Sequence, residues 1–380
     1  MKFVLEYIKK ETVLTVSWIL AVISAFIVPP SGVYLDYIDF RTLGILWSLM
    51  VIVAGLKENG LFMRIAQICI RYADHIWKLF AVLIFMPFFF SMFITNDVAL
   101  LTFVPFALYV LKVTKREEYI IPVVVLQTLA ANLGSMLTPI GNPQNLYLYT
   151  ESNLGIVEFI CLMLPYSAAS VVGLLVCVAV MTAKNIKNGS TNRLEMDPES
   201  IPCNSTKVSS GVYGVLFLFA VLVVVFSVNY IILVVAVLCS FLVLNREILK
   251  KIDYALLFTF VGFFIFTGNL GRMSAIKDIL TSMVCGNEVF AGIIASQMIS
   301  NVPAALLLAD FTDDIKSLII GVDLGGLGTL IASMASLISF KLLAHNYNEI
   351  KGRYFIIFTL MNVVFLAMLI GVYYFTLWIV

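Results

Sequence analysis

The chain has 380 residues, of which 61% are hydrophobic and only 12% charged, against roughly 45–50% and about 25% in soluble domains. A formal net charge of +1 gives no sign of a nucleic-acid partner, and two histidines with six scattered cysteines offer no metal or CxxC spacing. No G-x-x-x-x-G-K-[ST] run supplies an ATP-binding loop, so no cofactor is expected beyond a coupling ion. Uncharged apolar runs recur along the whole length, which predicts an all-α polytopic membrane protein.

The first apolar run follows Lys9 and Lys10 and ends in Ile27-Val28-Pro29-Pro30. It lacks a small-x-small cleavage pattern and reads as a retained span, 12–29, not a signal peptide. A second span, 42–56, leads into Lys57–Lys78, expected as an amphipathic helix on the inner surface. The segment 79–111 is apolar at both ends, with Thr95-Asn96-Asp97 in the middle. Arg71 and Lys78 precede it, and Lys112, Lys115 and Arg116 follow. Basic flanks on both sides place both ends on the inner face, predicting a re-entrant hairpin; two full spans joined by a short loop are the alternative.

An interrupted span, 119–148, carries the run NLGSMLTPIGNPQN from Asn132 to Asn145, and 156–183 returns to the inside. The polar stretch 184–210 reads as a cytoplasmic linker, where sequons at Asn188 and Asn204 mean little. Residues 211–245 as one helix would measure roughly 52 Å, too long for a core of about 30 Å. Asn229-Tyr230 divides them into spans 211–228 and 230–245. Span 254–270 follows, then a hairpin 288–311 from outside with Asp310, Asp313 and Asp314 at its exit. A second interrupted span, 316–341, and a final span, 354–379, complete the chain. That makes about nine full spans, two of them discontinuous, plus two re-entrant hairpins. The N-terminus is expected in the cytoplasm and the C-terminus outside, in a plasma (bacterial inner) membrane.

The two halves echo each other. Ile38-Asp39-Phe40 matches Ile252-Asp253-Tyr254, Ile94-Thr95-Asn96 matches Ile299-Ser300-Asn301, and Asn132-Leu133-Gly134 with Thr138 matches Asp323-Leu324-Gly325 with Thr329. Order is kept at offsets of 214, 205 and 191 residues. Because the first copy starts inside and the second outside, this predicts an inverted-topology repeat: 1–183, a linker 184–210, a linking span 211–229, and 230–380. Non-helical backbone at membrane depth is tolerated where it is buried in protein or lines a cavity. Gly141-Asn142-Pro143, Thr95-Asn96-Asp97 and Ser300-Asn301-Val302-Pro303 read as helix starts. Three N-termini converging on one polar pocket would favour an anion, and nearby carbonyls and hydroxyls could hold Na+.

These motifs, with Thr138-Pro139-Ile140-Gly141-Asn142-Pro143-Gln144-Asn145 and Asp323-Leu324-Gly325-Gly326, resemble the ion transporter superfamily. Its members include citrate and dicarboxylate permeases, among them divalent-anion:sodium symporters, arsenite permeases and a branch of sodium–proton antiporters. The resemblance runs from about residue 12 to the end. It implies a scaffold and a mobile transport domain, elevator-type alternating access and a homodimer in the bilayer. Carried over, substrate contacts fall to Thr95, Asn96, Thr138, Pro139, Asn142, Pro143, Asn145, Ser300 and Asn301, with Thr329 matching Thr138. The coupling ion, Na+ or H+, is expected at Asp97, Asn132, Gly134, Asp323, Gly325 and Ser336.

The tips depart from the carboxylate-permease pattern: Asp97 and Val302 stand where threonines would hold a carboxylate. Asn-Asp at the first tip and Asp-Leu-Gly in the second break look more like the arsenite-permease branch. Asp97 could also be a helix cap, and Asp39 and Asp253 are expected to cap span starts. Arg272 could pair with Asp278, attract an anion or anchor the interface, and Gln127, Asn132 and Ser135 could line the pocket or satisfy broken backbone. The expected function is ion-coupled transport of a small anion, with arsenite export or sodium–proton exchange as alternatives. An intramembrane aspartyl protease built on Asp97 and Asp323 is the remote alternative. It lacks the glycines such enzymes carry, since the run reads Ile320-Gly321-Val322-Asp323.

Overall fold

The computed structural model describes residues 11–187, 210–226 and 228–379, which contain helices and no strand. Residues 188–209, most of the expected linker with both sequons, lie outside the described residues, as do Lys9 and Lys10. The chain opens with α1 (Thr12–Ile27), α2 (Phe40–Glu58) and α3 (Leu61–Arg71). Asp39 starts α2 by accepting the backbone N–H groups of Arg41 and Thr42, each at 3.0 Å. Helix α3 is strongly amphipathic and lies within the segment expected for an inner-surface helix.

Next come α4 (Ile76–Phe90) and α5 (Asn96–Val113), which pack along each other and both against α6 (Ile120–Ser135). Helix α5 is by itself long and apolar enough to cross a membrane. Pro87 sits inside α4 and removes the N–H that the Leu83 carbonyl would receive. Gln127 supplies the missing donor at 2.7 Å, so it satisfies broken backbone. After α6 the chain is irregular until α7 (Pro143–Glu151), and α8 (Ile156–Lys187) follows.

Helices α9 (Ser210–Val225) and α10 (Tyr230–Leu244) are divided where the asparagine predicted it, with Asn229 accepting from the Ile231 N–H at 3.0 Å. Helices α1, α9 and α10 have 16, 16 and 15 residues. Each is about 24 Å of helix, shorter than the full spans expected there. Short α11 (Arg246–Lys251) precedes α12 (Tyr254–Arg272), which Asp253 caps through the Leu256 N–H at 3.1 Å. Both expected aspartate caps are therefore present.

Amphipathic α13 (Ser274–Val284) meets α14 (Glu288–Ile299) at a 113° bend, measured between Ile276–Val284 and Glu288–Ile299. Helix α15 (Asn301–Leu308) folds back along α14 from Ser300, a non-glycine residue at φ 75°. That conformation costs on the order of 1–3 kcal/mol and persists only where surroundings impose it. Helices α16 (Ile315–Gly325) and α17 (Met334–Asn346) flank the second irregular segment, and α18 (Lys351–Ile379) ends the chain.

Among the described residues five helices, α2, α5, α8, α12 and α18, are long and apolar enough to span alone. Large side chains such as Val176, Val180, Leu218, Ile356 and Leu360 face outward, as a lipid-facing surface requires and a water-facing one would not tolerate in such number. Helix α1 packs on α12, and α2 on α9 and α10. A second group holds α4 to α7 with α14 to α17, flanked by α8 and α18. The two groups meet where α7 packs on α2 and α15 on α12.

Candidate functional site

Each irregular segment is held by the hairpin beside it. The N–H of Asn96, first residue of α5, donates to the Gly141 carbonyl at 3.3 Å. The N–H of Asn301, first residue of α15, donates to the Ala332 carbonyl at 2.9 Å. Each asparagine also accepts from the next N–H, Asp97 and Val302, at 3.0 Å. The same geometry thus recurs at the offsets of 205 and 191 read in the sequence. Thr138 donates its hydroxyl to the Met92 carbonyl, and Gln297 donates to the Gly325 and Leu327 carbonyls at 2.8 Å while accepting the Thr329 N–H at 3.0 Å. Backbone groups freed by breaking a helix therefore find protein partners, as the low dielectric of a bilayer demands.

Gly134 and Gly325 are where the broken helices touch those hairpins. A Cβ on Gly134 would collide with the Phe88 carbonyl and lie 2.6 Å from Ser91 Oγ; one on Gly325 would lie 2.6 Å from Ser296 Oγ. Their visible role is close approach, and the Gly325 carbonyl is already taken by Gln297.

The side chains then cross between halves. Asn132, on α6, accepts from Asn96 Nδ2 at 2.9 Å and from Ser333 Oγ at 3.2 Å, and donates to Ser336 Oγ at 3.3 Å. Asp323, on α16, accepts at Oδ1 from Asn142 Nδ2 at 3.2 Å and Gln144 Nε2 at 3.5 Å, and the Asn145 side chain is also within bonding reach. Asn142 donates as well to Ser135 Oγ and caps α7 through the Asn145 N–H at 2.9 Å. Each half's broken helix is thus tied to the residues that start the other half's continuation: Asn132 to Ser333 and Ser336, Asp323 to Asn142 and its neighbours. One centre is an amide and the other a carboxylate, and among the described residues nothing basic is bonded to either. Two oxygens remain buried without a partner there, Asp323 Oδ2 and Asn145 Oδ1.

Of the residues expected at the site, Asn96, Asn132, Asn142, Asn145, Asp323 and Ser336 enter this network, and Pro143 starts α7 beside it. Ser300 and Asn301 reach it through Ala332, next to Ser333. Thr95 precedes α5 without a side-chain capping bond, and Pro139 is buried in the first break. Thr138 is spent on a hairpin carbonyl, and Thr329 is exposed. Asp97 is not a cap: it is half-buried in the first turn of α5, with Asp253 as its neighbouring charge. Arg272 pairs with no carboxylate among the described residues and lies 5.7 Å over the Tyr37 ring.

Three contributors had been passed over: Ser333, Gln144 and Gln297. Ser333 and Ser336 stand 191 residues beyond Asn142 and Asn145, so carrying the repeat one step further would have found Ser333. The four helix starts at Asn96, Pro143, Asn301 and Met334 surround these groups. Their free N–H ends favour negative charge or solute oxygen, and the orphaned oxygens call for a proton or a cation.

Comparison with known proteins places the chain in a family. A family model described as "Citrate transporter" matches residues 3–316. An uncharacterized transporter of Methanocaldococcus jannaschii is 30% identical over 349 residues, 91% of this chain and 92% of that protein. The inner membrane protein YbiR of Escherichia coli is 29% identical over 314 residues, 80% of each chain. A silicon efflux transporter of Oryza sativa is 27% identical over 153 residues, 40% of this chain and 31% of that one. With broken helices held by hairpin tips and a family match over most of its length, this integral membrane protein is a transporter and not an enzyme, and it belongs to the citrate transporter family of the ion transporter superfamily.

Proposed function

We propose that the chain is an ion-coupled secondary transporter of a small anion, a carboxylate or an inorganic oxyanion, working by elevator-type alternating access. The observation that carries the reading is the crossed polar network with Asp323 Oδ2 and Asn145 Oδ1 left unpaired inside it. A bare carboxylate beside a bound anion would repel it, so Asp323 takes up a proton or Na+ as the solute binds at the helix starts. The ion removes the carboxylate's repulsion, so the solute binds only where the ion is bound too, which couples their movement. The group holding α4 to α7 and α14 to α17 would move as the transport domain against α1, α2, α9, α10 and α12. The repeat is read as inverted, the protein as a homodimer, and the N-terminus as cytoplasmic.

The deciding experiment is uptake into proteoliposomes of citrate, succinate, phosphate, sulfate and arsenite under separate Na+ and H+ gradients. Flux of one anion that follows a gradient and disappears in Asn301→Ala supports the reading. A second reading, sodium–proton exchange, is favoured by the unpaired carboxylate and by the lack, among the described residues, of a basic side chain bonded within the network. It predicts proton release on imposed Na+ with no movement of any of these anions, and that result would overturn the anion site.

A further inference from the structure

A cavity of about 260 Å³ opens between α7, α12, the residues before α2 and the end of the second hairpin. It is lined by Asp36, Asp39, Tyr147, Glu151, Thr267 and Asp310, among others. A neighbouring cavity of about 520 Å³ shares Glu151 and adds Glu158, Asp313 and Asp314, with Lys316 as its basic residue. Arg272 covers the Tyr37 ring at the edge, Lys277 acts on Asp310, and Arg41 follows Asp39, yet carboxylates prevail around the opening.

Two further observations point to an occupant. Tyr147 is only 4% exposed and lines the cavity, close enough to feel the charges of Asp310, Glu151 and Asp39, and its hydroxyl has no hydrogen bond from any described residue. Tyr37, on the same wall, also has a buried hydroxyl without a partner. Among the described residues no three acidic, histidine or cysteine side chains come close enough to cage a metal ion. The arrangement therefore suits a monovalent cation that keeps part of its water, not a chelated divalent one. Asp39 also spends much of its capacity on capping α2 and on the Thr150 hydroxyl. Tyr147 stands five residues along α7 from Asn142, which bonds Asp323, or about 8 Å of helix.

We propose that this cavity is an antechamber that gathers a monovalent cation for the central site. The inference builds on cation coupling as proposed above, but its test is independent of any substrate. In protein with its native cysteines replaced, Ser152→Cys places a thiol in the neighbouring cavity, next to Glu151, which lines both. Its rates with a cationic and an anionic methanethiosulfonate are compared in proteoliposomes at low ionic strength. The cation should react faster, and Asp36→Asn with Asp310→Asn, on other elements, should lower the rate ratio about tenfold, the effect fading in 1 M salt. Asn153→Cys is the second reporter if the first fails to fold.

A ratio near one, or one unmoved by the double substitution, overturns the antechamber even if transport is cation-coupled. A ratio that behaves as expected in a protein whose flux ignores cation gradients supports the antechamber and removes the coupling reading alone.

Discussion

Replacing Asp323 with asparagine should stabilise the protein and uncouple it. Asn142 and Gln144 donate to Asp323 Oδ1, and an amide oxygen accepts the same bonds. At the other position, Oδ2 has no partner and neither does Asn145 Oδ1, whose residue lies within bonding reach. An amide in its place removes that unpaired acceptor, and its N–H gains the Asn145 oxygen as a partner once that side chain turns toward it. Relieving a buried unpaired group is worth about 1–3 kcal/mol, and removing a formal charge from the interior adds to it. At roughly 2–4 °C per kcal/mol for 150–250 residues, and less for a longer chain, the melting point in detergent should rise by a few degrees. The gain should shrink as pH falls, because a protonated carboxyl provides the same donor. Gradient-driven uptake should be lost while solute exchange at equal ion concentrations survives. A variant that melts lower at all pH values, or still accumulates solute against an ion gradient, refutes the reasoning.

Three further outcomes follow from specific contacts. Gln127→Leu leaves the Leu83 carbonyl unpaired beneath Pro87 and should cost about 1–3 kcal/mol; Pro87→Ala restores an N–H there, so the double variant should recover much of the melting point, and simple additivity would contradict the account. Thr329→Ala should leave flux near wild type because that side chain is exposed, whereas Ser333→Ala, which removes a donor to Asn132, should lower it at least several-fold. If Thr329→Ala is the more damaging of the two, the expectation that Thr329 touches solute was right. Gly134→Ala forces a methyl against the Phe88 carbonyl and should cost about 1–3 kcal/mol, seen as lower yield of monodisperse protein, while Gly371→Ala, with open space around it, should not.

Composition and run length determined that this chain lives in a membrane and is helical, because uncharged apolar runs of spanning length fit helices, whereas barrel strands alternate polar and apolar residues. Local chemistry determined where helices start: Asn142 with Pro143, Asn229, Asp39 and Asp253 are read from their own neighbours and recur as caps. The breaks and tips were legible for the same reason, since proline, glycine and asparagine act over a few residues. Only the tertiary structure decided what those residues do. Gln127 answers a proline 40 positions away in sequence, and Gly134 matters because another backbone passes it. Thr138 and Thr329 look alike in the chain yet end in different surroundings, one bonded to Met92 and the other exposed. The pairing of Asn132 with Ser333 and of Asp323 with Asn142 spans 201 and 181 residues. No periodicity encodes such a distance; it is set by two broken helices packing between two hairpins, which brings each half's polar residues to the other's helix starts.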